Sequence, residues 1–172
     1  MNRGKLDDLL RRFAQVSGRN EATMIGSQCL HAAVADVPDE VVMSVECDLV
    51  FDSEDPVVKQ VDAELGRDSP YHQEHPVYID PIVGTFPFMP EGWEARARVI
   101  DLGEIKIRCL EPNDLALSKL AAGRLKDSEV VAVMIQRKLV DPATLRQRIE
   151  RIADLHARAS LLARLQIVCE AI

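Results

Sequence analysis

Apolar positions along the chain follow two periods, and the switches between them outline a fold. Leu6, Leu9, Leu10 and Phe13 recur at three and four residues and predict an amphipathic helix over 5–15. "TMIG" (23–26) is a short strand closing on Gly26, and 28–35 turns helical again, with Ser27 placed to cap it. After the turn "DVPDE" comes the strongest strand pattern, "VVMSVECDLVF" (41–51). Alternation sends Met43, Val45, Cys47 and Leu49 to one face and Ser44, Glu46, Asp48 and Val50 to the other. Residues 52–76 are acidic, with a short helix over Val57 to Leu65. "VYIDPIV" (77–83) is a strand that Pro81 confines to an edge or a bulge. "FPFMPEGW" (86–93) is a loop marked by Pro and Gly, and "ARVIDL" and "EIKIRCL" form a hairpin around Gly103.

Beyond Leu110 the pattern is helical throughout. "EPNDLALSKLAAGRLKD" (111–127) predicts one helix beginning near Pro112 to Asp114, and "SEVVAVMIQRKL" (128–139) a second, with Asp127 placed to cap it. Asp141-Pro142 caps a third. Leu155 to Ile172 supplies a last helix, with Leu161, Leu162, Leu165 and Val168 on its apolar face. There is no repeat, low-complexity segment or linker. The expected architecture is one α+β domain over 1–172, with a helical C-terminal region from about 112 to 172.

Composition narrows the class. With 172 residues, 47% apolar and 28% charged, the chain has the profile of a soluble globular domain. Aromatic residues make up only 4%, so the core is built from Val, Leu, Ile and Ala. No apolar run reaches the roughly 20 residues of a membrane span, and "MNRGKLDDLLRRF" lacks the apolar stretch of a secretory signal. A cytoplasmic protein with no membrane partner is expected. Cys29, Cys47, Cys109 and Cys169 fall in apolar runs with no CxxC spacing and read as buried free thiols. "YHQEH" places His72 and His75 around Glu74, but fits neither metalloprotease pattern and reads as a polar loop.

Charge is unevenly spread. Residues 1–118 carry eleven Lys or Arg against twenty-two Asp or Glu, net −11, and 119–172 carry ten against six, net +4. That balance excludes an unspecific nucleic-acid binder. A basic C-terminal third suits a phosphate ligand held through metal, and equally a solvated helix face.

Candidate chemistry centres on Glu46 and Asp48. Two apart on a strand, they share a face at roughly 7 Å, and burying both charges uncompensated would be costly. Mg²⁺ resolves the conflict, since it takes one or two carboxylates and draws its remaining ligands from water and substrate phosphates. Gly26-Ser27 suits the same ligand, because a glycine lets backbone approach phosphate and a helix start offers free N–H groups. The bland alternatives are a tight turn at Gly26, a simple cap at Ser27 and a solvated sheet face at Glu46 and Asp48.

The order strand, Gly-Ser, helix, turn, strand and acidic pair resembles the nucleotidyltransferase fold of the DNA polymerase beta superfamily. The residues that carry the resemblance are Ile25-Gly26-Ser27 and Glu46-Cys47-Asp48-Leu49. Lys119 to Asp127, "KLAAGRLKD", is similar to a segment of the AbiEii-like, toxin-type branch and its small bacterial relatives. The likeness covers about 20–140 and implies a mixed β-sheet flanked by helices. It also implies nucleotide binding by Gly26, Ser27, Lys119, Arg124 and Lys126, and Mg²⁺ binding by Glu46 and Asp48. A third carboxylate is implied as well, for which Asp80 is the first candidate and Asp101 the second. Lys119 would contact phosphates or act in transfer, and Asp127 would orient or exchange protons. Lys119 and Lys126, seven apart, are expected on one helix face. Departures from the family pattern are Glu46 where Asp is common, Lys126 directly before Asp127, and a chain shorter than the larger toxins.

Three readings follow. One is a Mg-dependent transferase moving a nucleotide from an NTP to a hydroxyl of tRNA, another RNA or a protein. Another is a catalytically degenerate binding or antitoxin-like module with a protein partner. The last is a sheet-based dimerisation protein without a small ligand.

Overall fold

The computed structural model describes residues 1–84 and 88–172. Its five strands form one mixed sheet in the order β3-β2-β1-β5-β4. These are β1 (Glu21–Ile25), β2 (Glu46–Phe51), β3 (Tyr78–Val83), β4 (Arg98–Asp101) and β5 (Lys106–Cys109). β1 runs antiparallel to β2 and parallel to β5, β2 runs parallel to β3, and β4 and β5 form the expected hairpin. The fold class is therefore α+β, a mixed sheet with helices, consistent with a nucleotidyltransferase-like fold. Among the described residues, no helix is long and apolar enough to cross a membrane.

The chain divides into two compact units, Met1–Phe86 with Ala97–Leu110, and Pro87–Arg96 with Glu111–Ile172. The first holds the sheet, α1 (Arg3–Ser17), a 3-10 helix (Ser27–Ala32), α2 (Val57–Leu65) and α3 (Pro70–Glu74). Leu6, Leu9, Leu10 and Phe13 of α1 are fully buried, as their spacing requires. Phe13 meets Phe51 of β2 edge-on at 6.3 Å. Cys47, Leu49 and Phe51 thus face the core, and Glu46, Asp48 and Val50 take the opposite, half-buried face. Pro81 lies on β3, an edge strand, where its missing N–H costs no ladder bond.

The second unit is helical: α4 (Trp93–Arg96), α5 (Pro112–Ala122), α6 (Leu125–Gln136), α7 (Pro142–Glu150) and α8 (Leu155–Glu170). Asp141 caps α7 by accepting from the N–H groups of Ala143 and Thr144. Leu161, Leu165 and Val168 of α8 are buried, while Leu162 is only half-buried.

Several elements differ from the pattern. The strand expected over 41–51 begins at Glu46, because Val41 and Val42 are both buried in turns closed onto Pro38 and Asp39. Gln28 Nε2 occupies the Ser44 carbonyl at 2.9 Å, and Met43 is left 77% exposed. The segment after Gly26 is a 3-10 helix ending at Ala32, and Gly26 rather than Ser27 stands at its cap position, with no side-chain bond. "YHQEH" is not a loop. Pro70–Glu74 is helical because Ser69 caps it through the His72 N–H and Pro70 sits at its first turn.

The helix expected over 111–127 breaks at Gly123, which is left-handed at φ 68°, and α6 restarts at Leu125. Lys119 and Lys126 therefore lie on different helices and share no helix face. Asp127 sits inside the first turn of α6 and does not cap it, since Arg124 holds that position. Cys29, Cys47 and Cys109 are buried free thiols, but Cys169 is exposed on α8. Of the "FPFMPEGW" loop, Phe86 and Pro87 lie outside the described residues, and Trp93 begins α4.

Candidate functional site

Sequence-predicted residues fall into two sets, one in each unit. The first set gathers at the end of β1 and on the half-buried face of β2 and β3. In register, Ile25 stands opposite Asp48, Asp48 opposite Asp80, and Glu46 opposite Tyr78. Paired positions on adjacent strands lie about 4.8 Å apart with side chains on the same face. Glu46, Asp48 and Asp80 therefore share one face, with the last two directly side by side.

Gly26 closes this face. Its backbone, at φ 77° and ψ −177°, lies in a region essentially restricted to glycine. The Asp48 carboxylate rests against it, so that a Cβ at position 26 would stand 2.0 Å from Asp48 Oδ2. The strand-ending glycine and the acid two strand positions beyond Glu46 are therefore in direct contact. Ser27 follows, buried to 9% exposure, and the Gly26 carbonyl accepts the Cys29 N–H at 3.2 Å.

Three carboxylates and Arg67 set the charge on this face. Burial, and then the neighbouring charge of Glu46, raise Asp80 above the ordinary aspartate range, while Arg67 pulls the other way. Burial also raises Tyr78, whose O–H donates to Glu46 Oε2 at 3.0 Å. The donor set on the three acids is all carboxylate oxygen, which suits hard cations such as Mg²⁺, Ca²⁺ and Mn²⁺. Among the described residues, no three His, Cys, Asp or Glu side chains converge closely enough to cage an ion alone. A cation here would draw further ligands from water and phosphate, the usual mode for Mg²⁺. Asp101 lies on β4, at the far edge of the sheet, and pairs with Lys106.

In the second set, Asp127 is 2% exposed and shared between two cations. Lys119 Nζ lies 3.4 Å from Oδ1, and Arg124 Nε donates to Oδ2 at 2.6 Å. Lys119 is itself only 12% exposed, so α5 and α6 meet at this ion pair. Lys126 is exposed, apart from that cluster.

Two features escape sequence reasoning. One is the Tyr78–Arg67 pair on Glu46, which nothing in "VYIDP" or "LGRDSP" advertises. The other is a buried network in the second unit, in which Asp114, 0% exposed, accepts from Arg96 Nε at 2.8 Å and Arg148 Nη1 at 2.5 Å. Arg148 also donates to Glu111, which caps α5 through the Asp114 N–H.

Over residues 4–164 the chain matches the family described as "Nucleotidyltransferase of unknown function (DUF6036)". The chain belongs to this family. The match spans the sheet, the Gly26–Asp48 contact and both helices that carry Lys119 and Asp127. No curated protein and no solved structure matches the chain.

Proposed function

We propose that the protein is an active, Mg-dependent nucleotidyltransferase that moves a nucleotide from an NTP to a hydroxyl of tRNA, another RNA or a protein. One observation carries this reading: the Asp48 carboxylate lies against Gly26, whose backbone only glycine adopts. A turn and an acid built into one another suit a triphosphate and its cation. Asp48 would hold Mg²⁺ with Glu46 and Asp80, and Gly26 and Ser27 would receive phosphate. When bound, Mg²⁺ supplies charge neutralisation of the triphosphate and its leaving group.

The acceptor hydroxyl attacks the α-phosphorus in line, pyrophosphate leaves, and the hydroxyl proton passes to solvent or a carboxylate. The protein contributes mostly positioning and fixed charge. Lys119 and Arg124 are the phosphate-binding cations of the second unit, with exposed Lys126 an auxiliary. Asp127, gripped by both, acts as their anchor and not as a proton carrier. The Lys119–Asp127 segment supports placing the chain in the AbiEii-like, toxin-type branch, with an antitoxin as its protein partner. Three buried free thiols suit the reducing cytoplasm.

A second reading, a family member that binds without catalysing, is favoured by the lack of a three-donor cage among the described residues. Thermal melts with each NTP separate the two. The active reading expects stabilisation by Mg·NTP but not by NTP with EDTA, as a ligand of the native state requires. It also expects Asp48→Asn to stay folded while losing both the shift and nucleotide transfer. Wild-type activity in that variant would overturn the assignment, and binding without transfer to any RNA or protein would favour the second reading.

A further inference from the structure

Glu46 is held from outside its own strand. Tyr78, its register partner on β3, donates to Oε2 at 3.0 Å. Arg67, between α2 and α3, donates from Nη2 to the Tyr78 hydroxyl at 2.5 Å. Its guanidinium also lies 5.1 Å from the Tyr78 ring centroid and 4.0 Å from the same Oε2. The hydroxyl accepts from Arg67 and donates to Glu46, so both its bonds are committed and its proton has one direction. Framework residues fix the ring in turn. Tyr78 is 3% exposed, and His72 of α3 packs on it with centroids 4.7 Å apart. His72 itself is fixed by the Asp68 N–H, which donates to Nδ1 at 2.9 Å.

This arrangement is more than fold stability asks for. Arg67 is 68% exposed, and an exposed ion pair at 4.0 Å contributes little to folding. A glutamate in a strand ordinarily samples several rotamers. Here both contacts fall on one oxygen, which fixes the carboxylate and orients the other oxygen. Removing a group that orients a metal ligand in this way typically costs about 10–100-fold in metal affinity.

We propose that Tyr78 and Arg67 are positioning residues for Glu46, holding Oε2 so that Oε1 is presented with Asp48 to the divalent cation of a bound nucleotide. This rests on the reading of Asp48 and Glu46 as cation ligands, and it assigns the α2–α3 connection to the site. Tyr78 forms the link, and Arg67 sets the direction of its hydroxyl.

The test is Mn²⁺ binding, followed by electron paramagnetic resonance on the full chain, alone and with an equimolar mixture of α,β-methylene analogues of the four NTPs. Wild type is compared with Asp48→Asn, Tyr78→Phe, Arg67→Gln and Arg67→Lys, each checked for folding by circular dichroism. Tyr78→Phe keeps the ring and removes only the donor, and it is expected to weaken Mn²⁺ binding about 10-fold or more. Arg67→Gln is expected to weaken it less, and Arg67→Lys to recover most of that loss. If Tyr78→Phe does not fold, Arg67→Gln, on an exposed side chain, decides alone.

Wild-type Mn²⁺ affinity in Tyr78→Phe and Arg67→Gln, with loss in Asp48→Asn, would overturn the positioning role and leave the cation site standing. No Mn²⁺ binding by wild type, or undiminished binding by Asp48→Asn, would remove the cation reading and this role together.

Discussion

At the scale of the residue, Gly26 is the position with least freedom. Any side chain there meets two obstacles, a backbone conformation outside the range of L-residues and the Asp48 carboxylate 2.0 Å from the new Cβ. Gly26→Ala is expected to lose about 1–3 kcal/mol from strain alone. In urea this should appear as a lower midpoint with an unchanged slope. The variant should also lose the Mg·NTP thermal shift, since Asp48 must move to admit the methyl group. A midpoint equal to wild type would mean the turn relaxes without consequence. Asp80 is the complementary case: burial and the charge of Glu46 raise it, and a bound cation would relieve both effects.

At the scale of the element, the helical unit is organised by buried ion pairs at helix ends. Asp114, in the first turn of α5, is reached by Arg96 from α4 and Arg148 from α7, so three helices meet at one carboxylate. Two acids, Glu111 and Asp114, face two arginines, so the network is neutral as a whole. Removing one partner strands buried charge, so Arg148→Met is expected to destabilise by about 3 kcal/mol or more. The Arg148→Met/Asp114→Asn double variant should lose less than the sum of the two single changes. Additivity would mean that the groups act independently. Arg164 of α8 similarly donates to the Leu120 and Ala121 carbonyls at 2.6 and 2.9 Å, where α5 stops before Gly123. That stop decides where Lys119 and Asp127 stand, because it lets the two helices turn back on one another at their ion pair.

At the scale of the whole molecule, stability should respond to acid through the same network. Burial pushes Glu111 up, but the Arg148 hydrogen bond, the Asp114 N–H and the Arg148 charge together outweigh it. The carboxyl is held below its ordinary value of 4.5. A carboxyl lowered on folding contributes stability that is fully present above its unfolded pKa and lost as pH falls through the folded value. Glu111→Gln should therefore melt below wild type at neutral pH. The gap should close as pH drops below 4.5. A gap constant over that range would remove Glu111 from the acid response.

The residues by themselves determined the parts that depend on neighbours in the chain. These include the buried stripe of α1, the β4–β5 hairpin, the edge-or-bulge placement that Pro81 imposes, the Asp141 cap, and the shared strand face of Glu46 and Asp48. Each follows from periodicity or backbone chemistry within a few residues. Tertiary structure decided where local rules were degenerate. Residues 41–45 are rich in strand formers, yet turns claim backbone groups at Val41 and Val42, and β2 starts at Glu46. Helix formers flank Gly123 on both sides within 111–127, and a glycine there is compatible with either a continuing or an ending helix; in the fold it closes α5 in left-handed backbone beside Arg164. The strand register that sets Asp80 beside Asp48, and the loop that brings Arg67 to Tyr78, join residues more than ten positions apart. Such contacts arise from packing between elements, which no short stretch of sequence encodes.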